Sequence, residues 1–223
     1  HARVAMTGSS LIDEQFEDEE FPADVSAYGN YAFLTSLLDR LSDREGDVLI
    51  DGSHGQFGGD RSVGAEDAAH YLRYLEGVDL GFEQVNDLTG DLLDRGRAIL
   101  ISAPPESFAA DEIAALREFV ADGGGVVLLG GDVPAEHREN LDAVAEGLAT
   151  DLRLGNGHVV DEESNLAERA SLPTTANFDD WYRLFGGYDA EANYKGPRAG
   201  PGAPGESGKG HGKGKGNGKG HGD

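Results

Sequence analysis

The 223-residue chain carries 42 Asp and Glu against 18 Lys and Arg, for a formal charge of −24, and it has no cysteine. Such an excess of carboxylates repels nucleic-acid phosphates and anionic membrane surfaces, which disfavours a nucleic-acid-binding role. The missing cysteines remove disulfides, thiolate metal sites and thiol nucleophiles together.

Four of the lysines (Lys209, Lys213, Lys215, Lys219) lie in the last stretch of the chain, so the rest is more acidic still. An imbalance on this scale suits a halophile's protein, whose carboxylates keep it hydrated in concentrated salt. No run of about 18 apolar residues occurs, so no membrane insertion is expected. The chain opens on His1, not Met, which reads as a fragment or processed product that has lost any targeting segment.

Along the chain, residues 3–8 (RVAMTG) read as a short strand, and Asp13–Glu20 as an acidic loop. Asn30 to Leu41 places Tyr31, Phe33, Leu34, Leu37, Leu38 and Leu41 at helical spacing. DVLIDGSHG (47–55) reads as a strand ending in a Gly/Ser turn, EDAAHYLRYLE (66–76) as a helix, and GFEQVNDL (81–88) as a strand near a sheet edge. Thr89 is placed to cap the short turn that follows. The segment 97–132 is one βαβ unit: RAILIS, a helix starting near Asp111 with acids in its first turn, three glycines at 123–125, then VVLLG. Both of its strands are nearly continuous apolar runs, as in a parallel sheet covered on both faces. Arg138 to Leu148 reads as a helix, 151–165 as short strands and loops, and 172–185 as an aromatic-rich segment packed over the sheet. From Gly196 the chain is a Gly/Lys/His-rich, flexible extension.

The expected fold is α/β, a three-layer sandwich around a mainly parallel, flavodoxin-like sheet. The expected divisions are 1–45, a strand and helix that close a sheet or remain from a preceding copy; 46–186, the α/β domain; and 187–223, a disordered tail.

VLIDGSHGQFG (48–58), AILISAPPESFAADEIAALREFVADGGGVVLLGG (98–131) and NLDAVAEGLATDL (140–152) together resemble class I glutamine amidotransferase-like domains, in particular an uncharacterised haloarchaeal subgroup. The resemblance implies the fold, a place outside the cell or on its surface with the cytoplasm left open, and a nucleophilic Cys on the tight turn after the fourth strand of the block. Here that turn is Leu129-Gly130-Gly131-Asp132, with neither Cys nor Ser, so amidotransferase chemistry by that route is excluded. In such domains the closing strand and helix come last, whereas here RVAMTGSS and YGNYAFLTSLLDRL come first.

Open α/β sheets place ligands at the C-terminal ends of their strands. That rule assigns a ligand to Asp51, Ser53 and His54 after the first strand of the block, Pro104 and Glu106 after the third, and Gly130, Gly131 and Asp132 after the fourth. The plainer reading is that the glycines make turns and the polar groups cap helices or meet water. Asp51, His54, Asp132 and His137, with Glu136 nearby, are a chemically suitable set for a divalent metal, but no ligand spacing supports it. Ser53 and Ser102 are the available hydroxyls for a hydrolase, yet neither sits in G-x-S-x-G. Phe178, Trp181 and Tyr182 suit stacking on a sugar or a peptide, against the commoner fate of core packing. His211 and His221 are weak candidate metal ligands in the tail.

The expected function is a non-catalytic binding or interaction module of a larger, extracellular halophilic protein, without a cofactor. Its partners are other domains of that parent and a small-molecule or carbohydrate ligand. The alternative is a metal-assisted hydrolase using Asp51, His54, Asp132 and His137 with a divalent metal.

Overall fold

The computed structural model describes residues 2–13, 28–56, 63, 65–178 and 184–185. In chain order the elements are β1 (Val4–Thr7), α1 (Asn30–Leu41), β2 (Asp47–Asp51), α2 (Ala65–Gly77), β3 (Phe82–Val85), α3 (Gly90–Leu93), β4 (Gly96–Ser102), α4 (Ala110–Ala121), β5 (Gly125–Leu129), α5 (Ala135–Gly147), β6 (Asn165–Leu166) and β7 (Arg169–Pro173). The first five strands form one all-parallel sheet in the order β1-β5-β4-β2-β3, and β6 and β7 form an antiparallel pair. The protein is thus an α/β sandwich of flavodoxin-like type. Counted from β2, the order is 2-1-3-4, and β1 fills the fifth place although it comes first in the chain.

Apolar runs make these strands because both faces of the sheet are covered. Leu49, Ile99, Ile101, Val126 and Leu128 point into a core shared with Leu116 and Phe119 of α4 and Leu141 and Val144 of α5. Their neighbours Val48, Ile50, Leu100, Val127 and Leu129 point the other way, onto Leu34 and Leu38 of α1 and Tyr71 and Leu75 of α2. The period of two along each strand therefore divides one continuous apolar run between two cores. Register is tight at the centre, with Leu49 beside Ile99 and Ile99 beside Val126. Residues 4–7 pair with 126–129, and α1 lies against β5 and β4, so both pieces belong to this sheet and its outer layer.

Several boundaries differ from the sequence expectation for local reasons. β2 stops at Asp51, where the Asp51 carboxylate takes over the bonding of the following turn. The last long helix starts at Ala135, a turn earlier than Arg138, because Pro134 occupies its N-cap. Thr89 does sit at the N-cap of the one-turn α3, but its side chain makes no capping bond. In the aromatic segment, Phe185 stacks on Phe33 of α1 with centroids 5.0 Å apart, and Phe178 stacks on Phe185 at 4.3 Å. These rings stack in series on α1. The acidic stretch from residue 14, Trp181, Tyr182 and the tail with His211 and His221 lie outside the described residues. No described helix is long and apolar enough to cross a membrane.

Candidate functional site

The chain leaves β2 toward β3 on one side and returns to β4 on the other, so the sheet's topological switch point lies between β2 and β4. Loops 52–56 and 103–109 flank that crevice, the place where open α/β sheets bind ligands.

Asp51, the last residue of β2, is only 2% exposed, and both of its carboxylate oxygens are occupied. Oδ1 accepts from Ser53 N at 2.9 Å and from Ser53 Oγ at 2.6 Å, which folds residues 51–53 into an Asx-type turn. Oδ2 accepts from Gln56 Nε2, which also donates to the Ser53 carbonyl at 3.1 Å. Gln56 is fully buried, and its Oε1 accepts from both Ser102 N and Ser102 Oγ at 2.9 Å. One amide side chain thereby ties the end of β2 to the end of β4.

His54 links this knot to α4. Its φ of 58° is left-handed. The ring stacks on Phe108 at 3.9 Å, Nδ1 faces Ser53 Oγ, and Nε2 lies 3.0 Å from Glu112 Oε2. The same Glu112 oxygen accepts from Ala109 N at 2.7 Å, where a Glu in the first helical turn reaches back over the N-terminus of α4. The loops also meet through their backbones, with Glu106 N donating to the His54 carbonyl. Gly55 has φ 75°, and a Cβ there would stand 3.0 Å from Pro105 Cγ, so only glycine fits without strain. From α5, Asn140 Nδ2 donates to the Pro104 and Pro105 carbonyls and fixes the rigid loop.

Burial pushes the Asp51 carboxyl above its ordinary value, against the opposing effect of the bonds from Ser53 and Gln56 and the charge of His54. The Ser53 hydroxyl has one proton for two neighbours, Asp51 Oδ1 and His54 Nδ1. A second hydrogen, on Asp51 or on His54 Nδ1, completes the bonding of the three groups. The chain Asp51–Ser53–His54–Glu112 is chemically able to orient a ring and share a proton. It leaves neither the serine hydroxyl nor either imidazole nitrogen without a protein partner.

A family model described as a domain of unknown function, DUF4350, matches residues 60–217. The chain belongs to this family. No curated protein and no solved structure matches it. Within the network, Ser102, Phe108 and Glu112 lie inside the DUF4350 match, whereas Asp51, Ser53, His54 and Gln56 precede it.

The residues selected from sequence divide into two groups. Asp51, Ser53, His54, Pro104 and Glu106 come together at the β2–β4 crevice through side-chain or backbone bonds. Gly130, Gly131, Asp132 and His137 follow β5 and join no part of that network. Gly130 N donates to the Thr7 carbonyl of β1 at 2.9 Å; a Cβ on Gly130 would stand 2.9 Å from that oxygen and 3.1 Å from Leu154 Cδ1. The end of β5 is therefore filled, and residue 130 has no room for a side chain. His137 Nε2 faces Glu136 at 4.0 Å, while its Nδ1 is buried without a partner among the described residues. Among the described residues no group of three or more His, Cys, Asp or Glu is arranged to hold a metal ion. Asp51, His54, Asp132 and His137 thus do not form the metal set, because two of them are bound into the β2–β4 network and the other two lie after β5.

Gln56, Phe108 and Glu112 complete the site and were not selected from sequence. Glu112 carried a readable signal as an acid in the first turn of a helix. Gln56 carried none: its burial depends on a strand 46 residues away.

Proposed function

We propose that this chain is a binding or interaction module without catalysis of its own, a degenerate amidotransferase-like domain within a larger protein of a halophile. Its ligand or partner sits over the crevice between loops 52–56 and 104–106. The carrying observation is the closed network: Asp51, Ser53, His54, Gln56 and Glu112 are bonded to one another, which gives a rigid, shaped rim at the switch point. The filled end of β5 supports the same reading, since Gly130 is packed against Thr7 and Leu154 where the resemblance places a nucleophile. The charge of −24 supports the halophilic setting.

Activated carboxylic and phosphate esters offered to the chain in concentrated salt are expected to turn over no faster than in buffer alone. Turnover that disappears on Ser53→Ala would overturn the non-catalytic reading.

A further inference from the structure

Between α5 and β6 the chain bends through Gly155-Asn156-Gly157, and all three residues are exposed. In an Asn-Gly pair the backbone nitrogen after the asparagine approaches the side-chain amide with least obstruction, because glycine has no Cβ. Here the surroundings are open as well: a Cβ on Gly157 would meet no heavy atom within 4 Å. The Gly157 N–H has no hydrogen-bond partner among the described residues. Asn156 Oδ1 accepts from Arg138 Nη2 at 3.4 Å, and Arg138 is itself anchored by Nη1 on the Val133 carbonyl at 2.6 Å. A side-chain carbonyl with a cation on its oxygen thus immediately precedes an unobstructed backbone nitrogen.

We propose that Asn156 is a self-modifying site that deamidates through a cyclic imide, with Arg138 polarising its side-chain carbonyl. The Gly157 nitrogen gives its proton to solvent and bonds to the Asn156 Cγ, and negative charge gathers on Oδ1 beside the guanidinium. The Cγ–Nδ2 bond then breaks, and the amide leaves as ammonia after taking a proton. Water adds to either carbonyl of the ring and opens it to an aspartyl or an isoaspartyl residue at position 156. No redox partner is needed. The product carboxylate replaces a neutral acceptor with an ion-pair partner for Arg138, the residue that holds the β5–α5 loop through Val133.

The chain supplies its own control, since Asn217-Gly218 is a second Asn-Gly pair in the Gly/Lys tail. The intact chain is incubated in mildly alkaline buffer, and both sites are followed by peptide mass mapping and by enzymatic labelling of isoaspartate. Asn156 is expected to convert, and Gly157→Ala to slow it by about tenfold or more. Arg138→Ala is expected to slow Asn156 by about fivefold while leaving Asn217 unchanged. Asn156 remaining intact when Asn217 has converted overturns the proposal, and so does a rate at Asn156 indifferent to Arg138→Ala.

Discussion

The ends of β2 and β5 lie on the same edge of one sheet and are finished in opposite ways. After β2, side chains fill the crevice and bond across it, from Asp51 through Gln56 to Ser102 and from Ser53 through His54 to Glu112. After β5, a glycine is pressed against the carbonyl of Thr7 and the side chain of Leu154, and no functional group enters. The difference follows from topology. β2 and β4 diverge in connectivity and leave a crevice that side chains bridge, whereas β5 has β1 beside it and its end bonds to the Thr7 carbonyl through Gly130 N. Among the described residues the polar side-chain network therefore gathers at the switch point and does not extend to the end of β5.

The contrast breaks most completely if β1 is taken away. Removing residues 1–45 uncovers the edge of β5 and the core residues beneath Leu34, Leu38 and Leu41. With about 25 cal/mol lost per Å² of apolar surface returned to water, cooperative melting is expected to disappear. A chain starting at Gly46 that melts like the intact one would show the β5 end to be finished without β1.

Gly130→Ala tests the filled end more gently. Its methyl group meets a backbone oxygen that cannot withdraw without giving up the bond from Gly130 N, so a loss of about 1–3 kcal/mol in denaturant unfolding is expected. Unchanged stability would mean that the β5 end has room to carry a side chain after all.

At the other end, Asp51→Asn keeps one acceptor for Ser53 but turns an NH2 toward Gln56 Nε2, with an expected cost of about 1–2 kcal/mol. It also changes the pH response. The folded state holds the Asp51 proton more tightly than the unfolded chain does, so this group's contribution is complete below the ordinary aspartate range. It declines as pH rises through the raised folded value. The difference between native and Asp51→Asn melting curves should narrow over that window, and a constant gap would remove Asp51 as its source. Glu112→Gln is the mildest change. The glutamine oxygen still accepts from Ala109 N and faces His54, so only the carboxylate's charge at the head of α4 is lost, worth less than about 1 kcal/mol.

The sheet was legible in the sequence because its strands are buried on both faces, and continuous runs such as AILIS and VVLL have few other readings. The switch-point loop was legible in part. Asp51, Ser53 and His54 follow a strand and are rich in polar chemistry, so position and residue type agree. Gln56 was hidden, since a lone Gln in a Gly-rich loop looks solvated until the approach of Ser102 buries it. Asp132 and His137 misled for the converse reason. Their residue types suit a metal and their strand end suits a ligand, but nothing local shows that β4 stands between β5 and β2 in the sheet, or that the end of β5 packs against Thr7 and Leu154. Their separation is a property of tertiary packing, which a pattern of spacings does not contain.

Hydrogen exchange tests the central claim most directly, comparing this chain alone with the same residues inside the larger protein proposed for it. Binding at the switch point predicts added protection confined to residues 52–56 and 103–109, with the loop after β5 unchanged. Protection that falls instead on residues 130–134, or no change at either loop, would contradict it.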